Sequence, residues 1–289
     1  MEDATLNLSE LICNSLNMIF FKIFSSIDNT IYSLLDNILF INPDFVNNLK
    51  FQQIFGNSST NGLLLIANSL IFGFLIFYIL NFTLSHLIYL KVDSPYQFLF
   101  KSLIFVACIN SSMWICEKCI YFTSIITDSI LEIGHSINGT DMSFANLIDT
   151  ITSNIYSPIE NFDIFSLDGI LSLCSTLGIS YILIIYSVRF IMCKVTVLMS
   201  PFAFASLITN QTDGFFKGWL NQFLILLFMQ IFVATVLVIG FSLDFYAGDT
   251  LSKLIYLAII IVIAKCNYSV KNMFKFIYNY SHNTLKKFI

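Results

Sequence analysis

Apolar residues run along this chain in long unbroken stretches, unlike the half-polar patterns of a water-soluble domain. A helix crossing about 30 Å of hydrocarbon needs about 20 mostly apolar residues, and five stretches meet or approach that requirement. Residues 63–90 begin LLLIANSLIFGFLIFYIL, residues 98–116 read FLFKSLIFVACINSSMWIC, and a third run starts near Gly169 and reaches at least Arg189. The fourth is 219–240, WLNQFLILLFMQIFVATVLVIG, and the fifth is 251–266, LSKLIYLAIIIVIAKC. The fifth is uninterrupted only over 254–264, so it spans only if Lys253 and Lys265 extend toward opposite interfaces.

Between and beyond these runs the pattern changes. In residues 1–62, Leu8, Leu11, Ile12, Ile19, Ile23, Ile27, Ile31, Leu34 and Ile38 recur at steps of three and four, which predicts a helix with one apolar face lying on a leaflet or on a partner. Pro43 and GNSSTNG at 56–62 close that segment. Residues 117–168 are acidic and rich in turn formers, although IYFTSIITDSILEI keeps a helical period and extends the second run as a helix. The tail, 267–289, alternates lysine with aromatic and aliphatic residues, as a basic amphipathic helix on an inner leaflet does. The plan is therefore 1–62, two spans over 63–116, a loop region over 117–168, three spans over 169–266, and the tail.

Composition agrees: 57% of residues are hydrophobic and 11% charged, against about 25% charged in soluble domains, and the mean hydropathy is +0.80. The fold class is an all-α, multi-pass integral membrane protein with about five transmembrane helices. Acidic MEDATLNLSE does not resemble a signal peptide. One arginine among many Lys, Asn, Ile and Phe residues matches the codon bias of an AT-rich genome.

Cations near span ends set the orientation. With the N-terminus outside and the C-terminus inside, Lys91, Lys101, Arg189, Lys194, Lys217, Lys265, Lys271, Lys275, Lys286 and Lys287 fall inside, ten of the fourteen. Lys22, Lys50, Lys118 and Lys253 fall outside, with all carboxylates but Asp93 and Asp213. Trp114 then marks an outer interface and Trp219 an inner one.

Candidate chemistry is sparse. His86, His135 and His282 are far apart, Cys116-x-x-Cys119 has no second pair, and no nucleotide, zinc-protease or nucleophile-elbow motif occurs. No catalytic, metal or cofactor site is assigned. Polar residues within spans are the remaining signal: Asn110, Ser111 and Ser112 in the second, and Asn221, Gln222, Gln230 and Thr235 in the fourth. Gln222 and Gln230, eight apart, fall close to one helical face, as a transport path or as interhelical glue.

The stretch YSVRFIMCKVTVLMSPFAFASLI at 186–208 holds the lone Arg189. Counted from Gly169 it lies about 30 Å along the third span, near an inner edge, with Lys194 just beyond. Pro201 disfavours helix at Ser200, so an apolar elbow forms there. Either the elbow packs on another chain or copy, or the arginine snorkels beside an interfacial helix.

That elbow, followed by a polar turn and GFFKGWLNQFLILLFMQIFVATVLVIG, resembles the TrbL-type family of conjugal transfer proteins, the polytopic inner-membrane subunit of type IV secretion systems. The likeness is detailed over 170–245; elsewhere only the plan agrees. It implies a homo-oligomer in a bacterial cytoplasmic membrane that helps form the path for DNA–protein substrates, with ATPases of the apparatus as partners. Carried over, Arg189, Ser200, Pro201, Phe216, Trp219 and Gln222 shape the elbow and subunit contacts. The alternative is a small-solute permease or channel.

Overall fold

The computed structural model describes residues 15, 36–56, 61–88, 94–139, 141–147, 167–209, 212–243 and 250–288. Among them every regular element is helical. After a helical turn at 36–39 and a 3-10 turn at Pro43–Phe45 come α1 (Leu49–Phe55), α2 (Leu63–Ile88), α3 (Pro95–Asn110), α4 (Ser112–Asn138), α5 (Leu167–Leu198), α6 (Ser200–Ala205), α7 (Asp213–Phe241) and α8 (Thr250–Phe288). The apolar face proposed for residues 1–34 lies outside the described residues.

Four helices are long and apolar enough to cross a membrane, within 63–85, 169–198, 213–241 and 251–274, and a fifth crossing is counted if the bent pair α3–α4 acts as one. The second run is not one straight helix. It breaks at Ser111 with a bend of 60° between α3 and α4. The cause is local: Asn110 Nδ2, Ser111 Oγ and Ser112 Oγ donate to the carbonyls of Val106, Ala107 and Ile109 at 2.8, 2.6 and 2.7 Å. Side chains that bond back onto the preceding turn bend a helix. The start of α3 is equally local, a capping box between Ser94 and Gln97 with Pro95 in the first turn.

Contacts divide the chain into two compact units. One holds the described parts of Met1–Phe40, Ile126–Arg189 and Met229–Ile289; the other is Ile41–Ile125 with Phe190–Phe228. In the second unit α2 and α3 form an antiparallel hairpin. Asn68 Nδ2 donates to Asn110 Oδ1 at 3.2 Å at its base, and Tyr78 stacks on Phe98 at 3.8 Å further along. The loop before α2 is pinched shut by Gly56 (φ 102°) and Gly62 (φ 84°), where a Cβ would collide with the Asn61 carbonyl or the Gly56 backbone.

The core of that unit does not fit span ends placed on alternate faces over 63–116. Alternating crossings separate Leu64 and Cys116, at outer ends, from Val197 and Trp219, at inner ends, by about 30 Å. Instead Leu64, Ala67, Ile109, Cys116, Cys193, Val197, Phe204 and Trp219 form one buried cluster. The ends assigned to opposite faces lie together.

In the first unit α8 packs antiparallel to α7. The Gly240 position lies against Ile259, and Cys266 Sγ approaches the Met229 carbonyl at 3.7 Å. The fifth run and the tail are one unbroken 39-residue helix, so the tail is not a separate surface helix. Lys253 does not snorkel: it is 5% exposed, within the protein.

Candidate functional site

The elbow forms because Pro201 has no N–H to offer the turn before it. α5 stops at Leu198, Met199 keeps φ −83° and ψ −5°, and α6 begins with Pro201 in its first turn. Helical bonding survives on either side, from Met199 N to Val195 O at 2.9 Å and from Ala203 N to Met199 O at 3.1 Å. The joint is a one-residue break between two helices, not a linker. Beyond it, Ser206 Oγ donates to Ala203 O at 2.7 Å and Thr212 Oγ1 to Ser206 O at 2.6 Å, tying the approach to α7 back onto α6.

Trp219 locks α7 to the end of α5. Its indole Nε1–H donates to the Thr196 carbonyl at 2.8 Å. Its ring stacks on Phe223 at 5.4 Å and meets Phe204 and Phe216 at 5.8 and 5.7 Å, with Phe204 to Phe216 at 5.3 Å. Ser200, Pro201, Ala203, Phe204 and Ala205 are all buried, covered by α2 and α3 of the same chain. This corrects the expectation that the elbow's apolar surface needs another chain or a lipid interface.

Ser200 faces the Cys116 thiol, with Cys193 and Cys119 close by, but its hydroxyl makes no hydrogen bond of good geometry. No group of three metal-ligating side chains suited to an ion occurs among the described residues. Lys194 sets its ammonium 4.3 Å from the Phe190 ring centroid and 5.8 Å from that of Phe45, a cation–π arrangement.

Arg189 belongs to the first unit. It is 3% exposed and donates from Nη1 to the Leu39 carbonyl at 2.7 Å, with Tyr186 under its guanidinium at 5.8 Å. It does not snorkel; it caps the end of the 36–39 turn. At the other end of that turn Asp36 accepts from the amides of Phe144 (2.7 Å) and Ala145 (3.4 Å). Burial pushes the Asp36 carboxyl above its ordinary value, against the pull of those two amides.

Gln222 and Gln230 do not share a face in the structure. Gln222 is exposed and Gln230 is 1% exposed, because eight residues leave them about 80° apart around the axis. Thr235, like Ser69, Thr83 and Thr196, donates to a carbonyl four residues back in its own helix. The structure thus brings Ser200, Pro201, Phe216 and Trp219 together, places Lys194 on the same unit, and leaves Gln222 outside. The roles of Asp36, Leu39 and the Asn110–Ser112 break were missed. Only the break and the Ser94–Gln97 cap carry a local signal in the sequence.

Among the described residues every regular element is helical and four to five helices reach crossing length, which makes this a multi-pass membrane protein. No protein-family profile matches it, and no curated sequence or solved structure is detectably similar.

Proposed function

We propose that this chain is a scaffold and channel subunit of a type IV secretion apparatus of the TrbL type, oligomerising in the cytoplasmic membrane of a bacterium to help build the path for DNA–protein substrates. The observation that carries the proposal is the elbow, where the residues of the resemblance, Ser200, Pro201, Phe216 and Trp219, form a packed joint. A joint of this kind sets the angle between two long membrane helices, which is what a wall or scaffold element needs. A solute permease needs polar groups converging on a cavity. Here the hydroxyls of Ser69, Thr83, Thr196 and Thr235 bond to their own helices. Other subunits, ATPases among them, supply the energy, and the chain itself is assigned no catalysis.

The test is genetic and biochemical together. Deleting the gene in its host abolishes transfer of conjugative DNA to recipient cells, and the purified chain in liposomes carries no small-solute flux. Unchanged transfer after deletion, or solute flux by the protein alone, refutes the proposal.

A further inference from the structure

We propose that the α2–α3 hairpin enters the bilayer from the face on which the elbow sits, returns to that same face, and has lipid hydrocarbon as the solvent of α2's exposed apolar surface, with that face turned to the cytosol. The proposal stands on the hairpin and the elbow alone and does not rest on the secretion reading.

Both feet of the hairpin are fixed beside the elbow. Leu64 and Ala67 at the start of α2, and Ile109 at the end of α3, share one cluster with Cys193 and Val197 of α5 and Phe223 of α7. The breaks at Gly56 to Gly62, at Ser111, at Met199 and after Ala205 all border that one cluster and so share a level. Non-helical backbone does not face lipid hydrocarbon, so this level lies at a membrane face. Trp114, 60% exposed, and the Lys118 ammonium 5.9 Å from the Tyr121 ring lie just past one of those breaks. Aromatic residues beside lysines are what an interface collects.

The occupant around the hairpin is lipid because the exposed apolar surface of α2 is not confined to one side. Leu75, Leu65, Leu80 and Leu70 of α2 are exposed and spread over about 220° around its axis, whereas a protein groove calls for one apolar stripe. Only 11% of the apolar window of α2 is buried. Ser69, Thr83 and Asn110 bond back onto their own helices, to Leu65 O, Ile79 O and Val106 O.

Charge selects the cytosol. Lys50, Lys118, Lys194 and Lys217 lie in the segments joined at this level, while no Lys or Arg occurs between Lys118 and Arg189 or between Lys217 and Lys253. Those cation-free stretches hold the connections at the far ends of α4, α5 and α7, and positive residues stay on the cytosolic side. Parity then requires α4, 27 residues and about 40 Å long, to carry the chain to the far face. Glu117 and Lys118 stand at its start, and Asp128 and Glu132 toward its end.

Lys50 and Lys217 are both exposed. K50C and K217C, each added to the otherwise native chain, are treated with a membrane-impermeant maleimide in right-side-out and inverted vesicles, and the labelled peptide is identified by mass spectrometry. N61C and G214C, also at exposed positions, serve as a second pair if either first variant folds poorly. Both members of a pair label only in inverted vesicles if the proposal holds. Labelling from opposite sides, or of both from the outer side, overturns it. Spin labels at F72C and L103C report the occupant: high accessibility to oxygen and low accessibility to a water-soluble nickel chelate are expected. The reverse order, or immobilised spectra at both sites, overturns the lipid assignment.

Discussion

Trp219 is the side chain whose removal should be felt most at the elbow. It is 8% exposed, donates to the Thr196 carbonyl and contacts Phe204, Phe216 and Phe223. Truncating a buried Trp to Ala costs about 3–5 kcal/mol. W219F keeps most of the ring contact and loses the hydrogen bond, for about 1 kcal/mol. W114A is the control, since Trp114 is 60% exposed and substitutions at such positions stay within about 0.5 kcal/mol. Unfolding in mixed micelles with rising sodium dodecyl sulfate, read by a maleimide dye reaching the buried Cys116 and Cys193, gives all three values. Ordered losses, W219A well above W219F and W219F above W114A, are expected. Equal losses for W219A and W114A refute the elbow as a packed joint, and W219F as costly as W219A refutes the stacking account.

Three further outcomes test the first unit. R189A leaves the Leu39 carbonyl unpaired, at about 1–3 kcal/mol, and should speed amide exchange of the residues following Leu39, with R189K recovering part of the protection; unchanged exchange refutes the capping role. G178A places a Cβ 2.6 Å from Ile260 Cγ2, an overpacking of about 1–3 kcal/mol, so G178A with I260A should destabilise by less than the sum of the single changes, whereas additive losses refute the contact. Asp36, raised by burial, binds its proton more tightly folded than unfolded, so its contribution is greatest in acid and falls as pH rises from about 4 through the raised value. The stability of the native chain relative to D36N should therefore drop over that window, and a difference independent of pH refutes the shift.

Most of the span content was legible in the sequence because lipid imposes a length that no soluble helix has to meet. The helices at 63–88, 167–198, 213–241 and 250–288 follow the apolar runs. The elbow was legible too, since Pro201 acts on its own neighbours and needs no distant partner. The partner of Arg189 was not. Leu39 is 150 residues away and contributes a backbone carbonyl, which leaves no trace in residue identity. The Gln222–Gln230 stripe failed for a different reason: eight residues overshoot two turns, so one side chain faces out and the other is buried.

In the proposed topology, the plan read from the sequence goes astray at one misjoined segment. Residues 98–116 look like a single crossing by length and hydropathy, and a rule that alternates faces at each apolar run then fixes everything upstream of it. Asn110, Ser111 and Ser112 end that helix 24 Å from its start by the rise of α3's 16 residues, taking about 1.5 Å per residue. α4 stays hidden from an apolar criterion because its exposed face mixes Tyr121, Phe122 and Ile125 with Lys118, Asp128 and Glu132. A hairpin with both feet on one face changes no parity, so everything after residue 169 keeps its orientation and only the segments before α4 change sides. Cation counts alone could not expose the error. Lys22, Lys50 and Lys118, three of the four cations first placed outside, join the inner set in the proposed topology, while Lys91 and Lys101 leave it for the hairpin. The inner set grows only from ten to eleven, so its count barely separates the two plans, and the one buried cluster shared by Leu64, Cys116, Val197 and Trp219 favours the proposed one.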